Sequence, residues 1–173
     1  MVSQPQRRRL DVMLSEGYLE NLDTKPLDEV RAIHEECLEV ETELSYVRRL
    51  AQARIDIVSA ELDRRSAGRP VGDLVAMLPQ ILADDAPRSD PVRSRLPRHL
   101  APAMTISWRR GLEHLITDST LVNLPTISDE DLQETRELLG MLEQEMSSRR
   151  RALHDVIDRV EAVLAARHRV DRV

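Results

Sequence analysis

Apolar residues recur every seven positions in two long stretches of the chain. In the first, Val30, Cys37, Leu44, Ala51 and Val58 form one row, and Ile33, Val40 and Val47 follow three residues after its first three members. In the second, Leu132, Leu139, Met146, Leu153 and Val160 form the row, with Leu142, Val156 and Val163 in its companion. Heptads of this kind give a helix a narrow apolar seam that is buried only against another helix. The pattern therefore predicts a long helix over 25–67, starting near Pro26 after the candidate cap Thr24 and stopped by Gly68 and Pro70. A second long helix falls within 128–173. It starts at Ser128, whose partner three residues on is Asp131, a variant of the capping box, and it runs to about Arg167. Cys37 lies on the seam and reads as a small buried hydrophobe rather than a reactive thiol.

The remaining segments are less regular. Residues 1–24 form a polar arm with scattered apolar positions (Leu10, Val12, Met13, Leu14, Tyr18, Leu19, Leu22), open to both a docked short helix and a loose arm. Residues 68–127 hold seven of the nine prolines. Within them, DLVAMLPQIL at 73–82 fits a short helix kinked or stopped at Pro79, and 86–102 reads as a basic loop. Trp108, in an ambiguous stretch over 106–116, reads as a packing anchor. The expected fold is all-α: one domain built on a long antiparallel two-helix coiled coil, with a short middle helix and a Pro-rich connection.

Composition supports helices over strands. Aromatic residues are 2% of the 173, Phe is absent, and charged residues are 32%. A core of Leu, Val, Ile, Ala and Met suits packed helices better than a sheet. The net charge of −6 disfavours a sequence-independent nucleic-acid binder. No apolar run is long enough to span a membrane, and no apolar segment follows the basic residues of MVSQPQRRRLDVML to make a secretory signal. One cysteine allows no internal disulfide, so a cytoplasmic protein is expected. All but Lys25 of the 25 basic residues are Arg, as in a GC-rich genome, and Arg is the better residue for planar bidentate contacts.

The polar positions carry the candidate chemistry. Glu41, Ser45, Arg48, Gln52 and Asp56 are spaced 4, 3, 4 and 4 residues apart, which keeps all five on one helix face. Glu143, Ser147, Arg150, His154 and Asp158 repeat the spacing at a constant offset of 102, with His in place of Gln as the only change of residue type. The same offset carries the first heptad row onto the second, so both stripes occupy positions e, b, e, b and f. If the two helices pair antiparallel, e faces e and the stripes share one side of the pair. Nearly flush helix ends favour that direction and place Asp56 opposite Glu143.

The result is a two-fold groove offering carboxylates, Arg, hydroxyl, and an amide or an imidazole. Arg donates two bonds to guanine O6 and N7 or to a phosphate. Asp or Glu accepts from guanine N1 and N2 where bases are unpaired. The groups thus suit a guanine nucleotide with phosphate. Metal binding is not indicated: His34 and Cys37 are one turn apart, but no second pair follows. Nor is an enzyme. No nucleophile sits beside a base, no glycine loop cradles phosphate, and His34, His99, His114 and His168 stand alone as surface or packing residues.

The pattern Glu-x3-Ser-x2-Arg-x3-Gln-x3-Asp, carried twice, resembles the cyclic di-GMP signature of the RsiG family of actinobacterial anti-sigma factors, and VETELSYVRRLAQARIDIV at 40–58 resembles the family as well. The first copy matches at all five positions and the second departs only at His154. The resemblance implies a non-enzyme that binds two cyclic di-GMP molecules between the long helices. The ligand-bound form would sequester the sporulation sigma factor WhiG from RNA polymerase, without membrane or direct DNA contact. Falling cyclic di-GMP would release sigma and start sporulation. The rival from the residues alone is a coiled-coil interaction module with no small ligand.

Overall fold

The computed structural model describes residues 5–70, 72, 76–79 and 123–170. In chain order the elements are α1 (Pro5–Met13), a 3-10 turn (Glu16–Leu19), α2 (Leu27–Ser66), a second 3-10 turn (Leu124–Thr126) and α3 (Asp129–Val170). No strand occurs among the described residues. Residue 72 and residues 76–79 are helical, but the rest of the expected middle helix over 73–82 and the whole basic loop over 86–102 lie outside the described residues, as do Trp108, His99 and His114.

The chain divides into two compact units, Met1–Ser45 with Ser147–Val173, and Tyr46–Met146. Each contains a segment of both long helices, packed against each other. In the first unit His34 reaches Glu161 at 3.1 Å and Arg150 reaches Glu41 at 2.8 Å, so the numbering rises on one helix as it falls on the other. In the second, Arg48 pairs with Glu143 at 3.5 Å and Arg65 with Asp129 at 2.6 Å, the same antiparallel sense. The expected register is corrected here. Glu143 takes Arg48, about two turns before Asp56 on α2.

Both first heptad rows are buried throughout, Cys37 included. In the first unit Leu22, Val30 and Val160 cluster with Leu19, Ile33, Val163 and Leu164. In the second, Ile57, Val58, Leu124 and Leu132 cluster with Leu62, Leu78 and Ile127. The arm docks: Leu10, Met13 and Leu22 are each under 5% exposed, and Arg9 of α1 bonds Glu36 and Glu39 of α2.

The companion row of α2 continues past Val47 into charge. Arg54 is 5% exposed and Glu61 is fully buried. A carboxylate is stable there only if its lone pairs are filled. Glu61 accepts from Arg64 Nε at 2.7 Å and Nη2 at 2.8 Å, and from Arg65 Nε at 2.6 Å. The bonds from Arg64 lead in holding its carboxyl below the ordinary value, against burial, with those from Arg65 helping.

The helix ends follow local chemistry. α2 stops in a Schellman motif: the Gly68 N–H bonds Arg65 O, the Arg69 N–H bonds Arg64 O, and Gly68 takes the left-handed φ of 65° the motif requires. At the start of α3 Ser128 caps the helix, the Asp131 N–H bonding Ser128 Oγ at 3.1 Å, while Ser128 Oγ donates to Asp131 Oδ2 at 2.6 Å. Thr24 does not cap α2. Its hydroxyl donates to Asn21 O at 2.9 Å, closing a turn ahead of the helix in which Asn21 has a φ of 59°.

That turn has a counterpart. Asn21-Leu22-Asp23-Thr24 and Asn123-Leu124-Pro125-Thr126 lie at the same offset of 102 as the stripes. Thr126 likewise donates to Asn123 O, at 2.8 Å. In the first unit Arg167 grips its turn through Lys25 O, Leu22 O and Asp23 O at 2.6, 3.0 and 2.5 Å. In the second, Arg65 grips Ile127 O and Leu124 O, both at 2.7 Å. Arg65 and Arg167 are themselves 102 apart. The repeat is therefore structural as well as chemical: a turn, a long helix, and an Arg near its end that holds the turn leading into the other helix.

Candidate functional site

The e positions flank the apolar seam, and the b positions lie beside them on the same face. Glu41, Ser45, Arg48, Gln52, Glu143, Ser147, Arg150 and His154, at e and b, are all half-buried, as is Asp56 at f, whereas Asp158 at f is exposed. Half-burial suits ligand-facing polar groups. They are dry enough for strong hydrogen bonds and open enough for access.

In the first unit the stripes meet at Glu41. Its Oε1 accepts from Ser45 Oγ at 2.7 Å, from Arg150 Nε at 2.8 Å and from His154 Nε2 at 3.3 Å, the last requiring the tautomer with its proton on Nε2. Burial pushes the Glu41 carboxyl up, but the bonds from His154, Arg150 and Ser45 together outweigh it and hold the group at about 2. It is a carboxylate at any physiological pH. Ser147 and Asp158 belong to the same unit.

In the second unit Arg48 Nη1 donates to Glu143 Oε1 at 3.5 Å. This is the Glu41–Arg150 pair with the copies exchanged: Glu of one copy meets Arg of the other in each unit. The match is incomplete. Arg48 Nε is buried and has no hydrogen-bond partner among the described residues. Gln52 does not cross to the other helix as His154 does, but donates along its own helix to Asp56 Oδ1 at 3.0 Å.

The structure thus brings Glu41, Ser45, Arg150 and His154 together in one unit, and Arg48 with Glu143, and Gln52 with Asp56, in the other. Such an arrangement presents guanidinium and carboxylate groups side by side, able to donate to phosphate or a base edge and to accept from a base edge. His34 corrects the expectation that it stands alone: it pairs with Glu161 in the first unit. His168 is exposed in the last turn of α3. Among the described residues no three His, Cys, Asp or Glu side chains gather as metal ligands would. No described helix is long and apolar enough to cross a membrane.

Sequence reasoning missed Arg54, Glu61, Arg65 and Arg167. A signal existed for the last two. Extending the offset of 102 beyond the stripes finds the Asn-Leu-x-Thr turns and the Arg that holds each. Arg54 and Glu61 were visible only as polar residues on an apolar row.

Fold and site together define a class of molecule by architecture: antiparallel helices carrying a twice-repeated stripe of hydrogen-bonding groups. Residues 16–82 match the family model described as RsiG-like, which supports an RsiG-type protein. The match contains the first stripe and ends before the second. RsiG-like proteins are regulatory anti-sigma factors rather than enzymes. No curated protein matches the chain.

Proposed function

We propose that this chain is an anti-sigma factor that binds cyclic di-GMP, two molecules per chain, on its twin stripes. Bound to ligand, it sequesters a WhiG-type sigma factor from RNA polymerase and so restrains sporulation. The observation that carries the reading is the cross-helix Glu–Arg pair, formed by Glu41 with Arg150 in one unit and by Arg48 with Glu143 in the other. A twice-repeated set of donors and acceptors matches a ligand that is itself two-fold, with two guanines and two phosphates. The family match to residues 16–82 supports the anti-sigma role.

A ligand controls partner binding only through a difference in its affinity for the free and complexed states. Here the anionic ligand draws Arg48 and Arg150 onto phosphate or base and fixes the helix spacing that sigma recognises. Pull-down of a WhiG-type sigma factor with and without cyclic di-GMP tests this. Ligand should strengthen capture by the wild type, and Arg48→Ala or Arg150→Ala should abolish the gain. Unchanged ligand-dependent capture by both variants would refute the assignment.

A further inference from the structure

The offset of 102 reaches upstream of the two turns. It pairs RRRLDVMLSEGYLENLDT, residues 7–24, with RRGLEHLITDSTLVNLPT, residues 109–126. Seven of the 18 positions are identical, and five more, from Asp11 with Glu113 to Glu16 with Asp118, keep their character. The first copy contains most of α1 and docks: Leu10 and Met13 are buried, Arg9 bonds Glu36 and Glu39, and the Tyr18 hydroxyl lies 3.9 Å from Cys37 Sγ. Glu36 and Glu39 occupy g and c, across the seam from the stripe. Residues 109–122 lie outside the described residues, but the turn they lead into matches its counterpart in packing as well as in grip. Leu124, Leu132, Val58 and Leu62 cluster in the second unit as Leu22, Val30, Val160 and Leu164 do in the first.

The face that the second copy would meet has changed in step with it. On α3, Leu138 and Met141 stand where α2 has Glu36 and Glu39, and Gly111 stands where the arm has Arg9. The ion pairs of the first unit are thus replaced on both sides at once. α2 adds Tyr46, Leu50 and Ile57 to the same c and g rows, where α3 in the first unit has Ser148, Ala152 and Arg159. Tyr46 is 36% exposed and Met141 61%. The Glu39 side chain is 67% exposed with Arg9 bonded to it, so this position lies at the edge of a docked arm. Ile57 packs with Leu124, which continues the face to the turn that the segment enters. Val12, exposed on α1, is replaced by His114. An apolar face of this kind is stabilised by cover.

We infer that residues 109–122 form a second arm, docked on the face of the second unit made by Tyr46, Leu50, Ile57, Leu138 and Met141. Leu112 and Leu115 turn into that face as Leu10 and Met13 do in the first unit, and His114 turns out. In each unit the chain's own arm then covers the side of the helix pair across the seam from the stripe, leaving the stripe side for a ligand or partner. The inference stands apart from the nucleotide reading.

The test is amide hydrogen exchange of the full chain, read by mass spectrometry over 109–122. The wild type should show protection of at least about tenfold over an unstructured peptide, independent of protein concentration. Leu138→Glu with Met141→Glu, which copies the face of the first unit, should cut it by at least about fivefold and leave residues 5–22 unchanged. Adding Gly111→Arg to that pair should restore the protection, by more than the same change adds in the wild type. Leu115→Asp should lose the protection and His114→Asp should keep it. These two leave the long helices untouched and decide the matter if the paired Glu variant does not fold. No protection in the wild type, protection indifferent to the paired Glu variant, equal gains from Gly111→Arg in both backgrounds, or equal effects of Leu115→Asp and His114→Asp would overturn the second arm. Protection that rises with protein concentration would give the face to a second copy of the chain and overturn it too.

Discussion

Glu41 shows how one side chain ties the stripe to stability. Its carboxyl is held at about 2 by His154, Arg150 and Ser45, well under the unfolded value near 4.3. A depressed carboxylate stabilises the fold above the unfolded value, and that contribution is lost as pH falls toward the folded one. Glu41→Gln should therefore cost on the order of 1 to 2 kcal/mol at pH 7, after allowance for solvent screening, and almost nothing near pH 2. Urea unfolding of both proteins across that range checks this, and a pH-independent difference would mean that the charge is not what matters. The residue types of the stripe were legible because their spacing is helical and repeats. The three-donor cluster on Glu41 was not, because it depends on which residues of the other helix stand at its level, and flush ends put Asp56 rather than Arg48 beside Glu143.

The elements themselves were largely legible. The seam rows named both long helices, and Ser128 with Asp131 named the start of the second, because period and caps are local properties of sequence. What holds the helices in register was not, since Arg65 and Arg167 act on carbonyls about sixty and about one hundred and forty residues away. Arg167→Ala should lower stability by about 2 to 3 kcal/mol through three lost carbonyl bonds. Arg65→Ala should cost more, about 3 to 5 kcal/mol, because it also strips a donor from the buried Glu61. Arg65→Lys should not rescue it, since an ammonium lacks the planar fork that bonds Glu61, Asp129 and two carbonyls together. Thermal melts of the three variants rank them, and equal losses for Arg65→Ala and Arg167→Ala would contradict the role given to Glu61. Gly68→Ala isolates the Schellman turn. An added Cβ meets nothing within 4 Å, so the expected loss of about 1 kcal/mol comes from the left-handed φ alone.

For the whole molecule, the duplicated plan serves stability directly and, on the proposed function, ligand binding as well. Each unit holds a turn, a clamp and a Glu–Arg pair, which on the proposed function offers a ligand with two equal ends similar chemistry twice in one chain. The measurement to make first is a calorimetric titration of cyclic di-GMP into the wild-type chain, alone and with a WhiG-type sigma factor, beside Arg48→Ala. The account predicts uptake near two ligands per chain, weakened by at least about tenfold in the variant, the effect of losing a charge-assisted hydrogen bond. No uptake by the wild type with or without sigma, or uptake indifferent to Arg48, would contradict it and leave the stripes as the solvated flanks of a coiled-coil adaptor.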